Sequence, residues 1–478
     1  MKLSFTYTAL PKNLFSEVNP KKFQDPQLIL YNKNLSNTLG IQHENMTTNY
    51  LVETLLGYHL PENHRPIAQA YSGHQYGNFT TLGDGRAMLL GEIISRTGER
   101  FDVHLKGSGQ TPYSRNADGN ATLSTMLREY IISEAMSALR IPTSRSLAVI
   151  GTGEIVCRQN PEHGAVLVRV APSHIRFGTF EYARRDGNLG TIQSLLEHTI
   201  QRHYPELINS ENTALALLDA VMRRQAELIT EWMRVGFIHG VMNTDNMTVS
   251  GDTIDYGPCS FMNRYDLQTV FSSIDKNGRY SYGNQPYICK WNLARFAESL
   301  LPLLSNDHKQ AVALAEKTIE QFDSIYEIKW LNMMANKLGL VNVKSADKDL
   351  IFDLLSIMHR NSLDYTNTFY GLTYDLSSLE KEKKSDIDAW LLQWKKRLAT
   401  SKNSIDSAQM HMKNYNPVII PRNHLVESAL KSSQNGNLDP AMSLASVLRE
   451  PYQLLKNIEQ YQTVPPNFDD DFQTFCGT

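Results

Sequence analysis

The chain has 478 residues, of which 41% are apolar and 20% charged, with 27 glycines and 19 prolines. That length exceeds one ordinary core and the composition is globular, so disordered and fibrous classes are excluded and two or three packed regions are expected. Lys plus Arg total 47 against 50 for Asp plus Glu, a net charge of −3 that gives no general attraction for nucleic acid or an anionic membrane. Any anion site must therefore be local.

In chain order, the opening MKLSFTYTALPKNLF lacks an uninterrupted apolar h-region, and no stretch approaches ~18 apolar residues. A cytoplasmic protein with no membrane or nucleic-acid partner is expected, and a monomer. Residues 86–93 and 101–106 read as strands, the second alternating Phe101, Val103 and Leu105 with Asp102, His104 and Lys106. Lys106 thus ends a strand on its polar face. A Gly-rich loop follows, then a helix over 121–139 with Leu123, Met126, Leu127, Tyr130, Ile131, Met136 and Leu139 at helical spacing, closed by Ile141-Pro142. Strand-like runs at 146–150 and 165–171 complete a mostly antiparallel sheet with one helix across it.

From about residue 180 helical periodicity takes over, at 192–203 and 214–235. It breaks at GFIHGVMNTDNMTVSGDTIDYG, with short β-prone runs at 247–249 and 253–254, and this interruption is the place to look for chemistry. Residues 291–398 and onward to 455 are mainly helical, and the polar tail VPPNFDDDFQTFCGT is expected to be poorly ordered. Cys157, Cys259, Cys289 and Cys476 are scattered with no C-x-x-C pair, so neither a zinc site nor a disulfide framework is indicated.

The chemistry-bearing residues fall into a recognisable order. Asp245, Asn246 and Asp255 supply the oxygen donors that hard metals such as Mg2+ or Mn2+ prefer, with Asp245 free to accept a proton. Asp, Asn and Gly are also what turns use, so the motif alone leaves an ordinary turn open. Lys106 on a strand followed by Glu129 on a helix repeats the kinase pairing of a phosphate-binding lysine with its glutamate. Gly83, Gly85 and Arg86 form a turn before a strand, where backbone amides and a guanidinium could grip phosphate, although a plain hairpin turn has the same composition. Arg169 in a strand and Arg176 just past it suit a polyphosphate, with a solvated pair as the alternative.

The stretches SGHQYGNFTTLGDGRA, HLKGSGQTPYSRNADGNA, REYIISEAM, VLVRVAPSHIRFGTFEY, GFIHGVMNTDN and IDYGP resemble the selenoprotein O family, also called the YdiU or SelO protein adenylyltransferases. The likeness is densest from about residue 65 to 300 and extends over the whole length. It implies an α+β, protein-kinase-like two-lobed fold, with a sheet-rich N-lobe and a mainly helical C-lobe. Its parts would be an N-terminal extension over 1–60, the N-lobe over 61–180, the C-lobe over 181–400 and a C-terminal helical extension and tail over 401–478.

The same resemblance implies that ATP binds inverted, so that AMP passes to Ser, Thr or Tyr hydroxyls of protein substrates and pyrophosphate leaves. UTP as a second donor stays open. Gly83, Gly85, Arg86, Asp118, Gly119 and Asp255 would contact nucleotide, Lys106 the phosphates with Glu129 as its partner, and Arg169 and Arg176 the inverted phosphates. Asp245 would be the proton acceptor, and Asn246 and Asp255 the metal ligands. The kinase H-R-D is replaced by HGVMNTDN, which places the aspartate next to the asparagine. Two rivals remain, a γ-phosphate phosphotransferase of the small-molecule kinase type and a nucleotide-binding pseudokinase scaffold. The family's C-terminal cysteine is filled by Cys476, and pairing with Cys259 in the loop after D-Y-G is one implication, two unrelated reduced thiols the other.

Overall fold

Period-two alternation builds the first half of the molecule, which a computed structural model describes for residues 1–62, 64–158, 160–185, 187–381 and 385–475. Strands β1 (Phe15–Glu17), β2 (Gln27–Tyr31), β3 (Ile67–Gln69), β6 (Ala87–Ile94), β7 (Arg100–Lys106), β8 (Arg145–Cys157) and β9 (Pro161–Ala171) form one sheet in the order β1-β3-β6-β7-β9-β8-β2. Every neighbouring pair is antiparallel. Residues 1–60 thus supply both edge strands. A separate hairpin of β4 (Ser72–Gln75) and β5 (Asn78–Thr81) leaves this sheet and turns through Tyr76 and Gly77, both at positive φ.

The two faces of the sheet do different work. Val103 and Leu105 of β7 and Val166, Val168 and Val170 of β9 pack with Leu35 and Leu39 of α1 (Lys33–Leu39) and Leu51, Val52 and Leu55 of α2 (Thr48–Leu55). The alternate residues, His104, Lys106 and Arg169, must then point the other way, toward α3 (Leu123–Ala138). Register pairs His104 with Arg169 and Lys106 with Leu167, so a strip of cationic and titratable groups forms on one face. Thr122 caps α3 by accepting the Thr125 N–H.

Strands β8 and β9 run further than the apolar pattern indicated. Their distal halves, through Ile155 and His163, are a solvent-facing ribbon whose register shifts between Gly151 and Ile155. Ile155 is exposed there, so no hydrophobic period marks that extension.

Helices dominate beyond residue 176: α4 (Phe177–Arg185), α5 (Leu189–His203), α6 (Thr213–Val235) and α7 (Gln285–Leu304). Helix α6 is capped by Asn212, whose side chain accepts the Leu215 N–H, and stops at Gly236 in the left-handed conformation. The chain then forms β10 (Phe237–Ile238), the loop carrying Asp245, a bridge between Met247 and Thr253, and β11 (Ser260–Phe261), which pairs with β10.

The described part of the tail is docked rather than loose. Phe472 packs on Phe271 with ring centroids 5.5 Å apart, the Thr474 N–H donates to Phe271 O and Thr474 Oγ1 donates to Pro258 O. Composition concealed this because Phe472 and Thr474 follow directly on a run of aspartates, Asp469 to Asp471. Among the described residues no helix is long and apolar enough to cross a membrane.

Candidate active site

Three elements converge at the junction of sheet and helices, each carrying a charge that its local structure orients. Strand β7 ends on Lys106, whose Nζ donates to Glu129 Oε2 of α3 at 2.6 Å and to Asp255 Oδ1 at 2.7 Å. Strand β9 supplies Arg169, which donates to Asp255 Oδ1 at 2.6 Å and to Glu129 Oε1 at 3.3 Å. Arg176, one residue before α4, donates to Asp255 Oδ2 and to the backbone carbonyl of Asp245, both at 2.6 Å. Three buried cations therefore face two carboxylates.

Burial works against charge on Asp255, but Lys106, Arg169 and Arg176 outweigh it and hold its carboxyl well below the usual range. Asp255 sits at positive φ and keeps 20% of its side-chain surface exposed, so it remains accessible from the cleft. The excess of cations leaves the deep end suited to a polyanion, while the molecule as a whole is acidic.

Asp245 lies one side chain away and differs electrically. Burial raises its carboxyl to about 6 against the opposing pull of Arg176, and its Oδ1 makes no hydrogen bond to protein. A carboxylate poised there can accept a proton near neutral pH. Its position is set by contacts that the sequence did not reveal. Thr244 Oγ1 accepts the His74 N–H at 2.7 Å and donates to Glu181 Oε2 at 2.8 Å, while Glu181 Oε1 meets His74 Nδ1 at 2.8 Å. Asn243 Oδ1 accepts from the Tyr76 N–H and the Tyr280 hydroxyl. The β4–β5 hairpin is thereby pinned on the loop of Asp245, and Gly73 is required at the closest approach. A Cβ there would lie 2.1 Å from Asp245 Oδ1.

The cleft between these groups encloses about 560 Å3 and reaches outward past Gly83, Gly85, Arg86, Asp118 and Gly119. Gly83 has φ +138°, and a Cβ on it would meet the Tyr113 ring at 2.4 Å. Asp118 is held at the rim by Arg158, which donates to both carboxylate oxygens at 2.8 and 2.9 Å and lowers its carboxyl to about 2. Arg158 and Tyr113 are lining residues for which the sequence suggested no role. All of the residues singled out as nucleotide, base and metal positions border this one cleft except Glu129, which stands behind Lys106.

A metal position is consistent with the donor set. Asn246 spends its amide nitrogen on Val241 O at 2.9 Å, which leaves Oδ1 as the group able to ligate, beside the Asp255 carboxylate. Among the described residues no group of three or more His, Cys, Asp or Glu could hold a metal alone, so phosphate oxygens would have to complete the shell. Cys259 is fully buried and burial pushes its thiol up to about 12, a chemistry poor for disulfide exchange; Cys476 lies outside the described residues.

A family model described as protein adenylyltransferase SelO matches residues 1–449. The chain belongs to that family. "Protein nucleotidyltransferase YdiU" of Clostridium beijerinckii is 51% identical over 478 residues, spanning 100% of this chain and 98% of that protein. Proteins of the same name from Brevibacillus brevis and Pelagibacter ubique are 51% and 48% identical, each over 99% of this chain and over 97% and 98% of their own lengths. Among solved structures, ROP2 from Toxoplasma gondii, titled a virulence factor with a protein-kinase fold and no enzymatic activity, is 9% identical over 56% of this chain and 84% of that chain. Its TM-score is 0.25, too slight a likeness to carry an argument. Membership makes this chain an enzyme of the nucleotidyl-transferring class, as the resemblance implied. The kinase-like layout rests on its own geometry: a strand lysine bonded to a helix glutamate, with Asp255 bonded to the same lysine.

Proposed function

We propose that this cleft transfers AMP from ATP to Ser, Thr or Tyr hydroxyls of other proteins, releasing pyrophosphate. The single observation that carries the reading is the separation of two charge environments. Lys106, Arg169 and Arg176 gather at the deep end, and Asp245 stands beside them with a raised carboxyl whose Oδ1 makes no hydrogen bond to protein. A triphosphate whose β- and γ-phosphates occupy the cationic end leaves its α-phosphorus toward Asp245 and its base toward Gly83, Gly85 and the Asp118–Arg158 rim.

In the reaction the acceptor oxygen bonds to the α-phosphorus, the bond from that phosphorus to the α–β bridging oxygen breaks, and pyrophosphate departs with the bond's electron pair. The acceptor's proton passes to the Asp245 carboxylate. Phosphoryl-type transfer needs alignment and charge neutralisation more than covalent catalysis, which is what the three cations and the Glu129 brace supply. Mg2+ or Mn2+ held by Asn246 Oδ1 and Asp255 would neutralise phosphate charge. The triphosphate competes with Asp255 for the same three cations and so releases its carboxylate for that role.

The test is to incubate the enzyme with a metal and ATP labelled on either the α- or the γ-phosphate, together with acceptor proteins. Label from the α-phosphate only is the expected result, and γ-label alone would establish a phosphotransferase instead. Replacing Arg169 and Arg176 together by Ala should weaken ATP far more than AMP. Each charge-assisted contact is worth about 1.5–3 kcal/mol, hence tenfold or more per arginine. Equal weakening of both ligands would contradict the inverted pose.

A further inference from the structure

The outer side of the β4–β5 hairpin carries a second set of cations that the ATP site does not use. Arg279 stacks over the Trp291 ring at 4.8 Å, and Arg295 stacks over the same ring at 5.0 Å, so the indole is flanked by two guanidinium groups. Trp291 meets the edge of His74 at 5.5 Å, His74 meets Phe79 at 5.2 Å, and Arg185 lies over Phe79 at 5.9 Å. Phe79 is 44% exposed. These six side chains form a continuous row of three rings with guanidinium groups at both ends.

The carboxylates nearby neutralise Arg295 and leave Arg279 without an ion pair among the described residues. Glu298 pairs with Arg295, and Glu181 is buried and shared between His74 and Thr244. Asp275 accepts the backbone N–H groups of Arg279 and Tyr280, one on each oxygen. Arg279 therefore has no carboxylate partner among the described residues, while the Nε atoms of Arg279 and Arg295 are buried against the rings and turned away from solvent. A guanidinium braced on a ring and left without an ion pair, as Arg279 is, suits a carboxylate arriving from outside at its terminal nitrogens.

The row also borders the loop that carries Asp245. Its His74 is adjacent to Gly73, which abuts Asp245, and its Arg279 precedes Tyr280, whose hydroxyl holds Asn243 two residues before the base. We propose that this row recognises an acidic segment flanking the acceptor hydroxyl of the protein substrate. The inference rests on the transfer reading above and adds the chemistry of the substrate.

The experiment uses the full chain with metal and ATP labelled on the α-phosphate, and synthetic peptides bearing one Tyr, Thr or Ser flanked by Asp and Glu, by Lys and Arg, or by neutral residues. The wild type is expected to favour the acidic peptides. Arg279→Glu should lower kcat/KM for them by about tenfold or more while leaving the KM for ATP near wild type, and should improve the basic ones. Arg279→Ala gives a smaller change in the same direction and serves if the charge reversal fails to fold. Anisotropy titration of the acidic peptide with dye attached reads binding without turnover. An unchanged acidic-to-basic ratio in Arg279→Glu overturns the proposal, as does tighter binding of an oligoribonucleotide than of the acidic peptide. Absence of AMP transfer to any acceptor by the wild type overturns the transfer reading, and this inference with it.

Discussion

Gly73 and Asp255 show how single residues determine what the cleft can do. The Gly73 Cα packs so closely on Asp245 that a methyl group must displace the carboxylate. Gly73→Ala is therefore expected to lower turnover by about a hundredfold, the scale on which a misplacement near 1 Å acts, while ATP affinity shifts only a fewfold. Steady-state turnover beside equilibrium ATP binding checks this, and lost affinity with normal turnover would contradict it. Asp255 is the common partner of Lys106, Arg169 and Arg176; without it Glu129 still pairs with Lys106 and Arg169, and Arg176 keeps no ion pair among the described residues. Asp255→Ala should abolish metal-dependent transfer. In nucleotide-free protein it should also cost roughly 3 kcal/mol in urea unfolding, the low end for breaking a buried ion pair. Full stability together with full activity would remove the cluster from the site.

Helix α3 is held from both sides, and that arrangement governs the elements around it. One side packs on the sheet, the other on the helices Asn423–Gln434 and Asp439–Val447 of the C-terminal part. Arg128, next to Glu129 in sequence, donates to Gly257 O at 3.1 Å and Cys259 O at 2.7 Å, and to Glu427 at 2.6 Å. A single guanidinium thus ties α3, the loop after Asp255 and the C-terminal helices together. Arg128→Ala leaves two loop carbonyls without a charged donor. It is expected to reduce kcat about tenfold with a smaller change in the KM for ATP, since each such bond is worth about 1.5–3 kcal/mol. Glu427→Gln should stay near wild type, because Glu427 is half-exposed and such pairs contribute at most about 1 kcal/mol. Equal losses in both variants would show that the ion pair, and not the loop carbonyls, matters.

Across the whole molecule the sheet–helix junction stores several neutral histidines. Burial is the leading cause that lowers His104, His174, His198 and His203, the last to about 3 with Arg202 and Arg224 adding and Asp102 opposing. A histidine whose folded pKa lies below its unfolded value is neutral in the fold at pH 7. As pH falls below about 6.5 the unfolded chain takes the proton and the fold does not, so stability is lost at up to about 1.4 kcal/mol per pH unit for each group. Asp245, Asp252 and Glu181, raised by burial, work in the opposite direction at lower pH. The contribution of one histidine is therefore isolated by difference. His203→Gln, which can keep a bond to Ser173, should gain on the wild type as pH drops from 7 to 5 in urea titrations. A constant difference across that range would show that His203 titrates normally.

Local rules were sufficient for much of this. The alternation in 101–106 placed Lys106 on the polar face of a strand, helical spacing over 121–139 carried Glu129 to the facing helix, and the order of the motifs singled out Asp245, Asn246 and Asp255 as candidates. Each of those signals lies within a stretch of chain short enough to be read by periodicity. What the tertiary structure alone decided is which of these groups touch. Asp255 meets Arg169 86 residues away, His74 meets Thr244 170 residues away, and Arg128 meets Glu427 299 residues away. No local period encodes such pairings, because they follow from how sheet, hairpin and C-terminal helices pack. The docked tail and the arginine row beside Trp291 stayed illegible for the same reason: their residue types are those of an ordinary surface until packing aligns them.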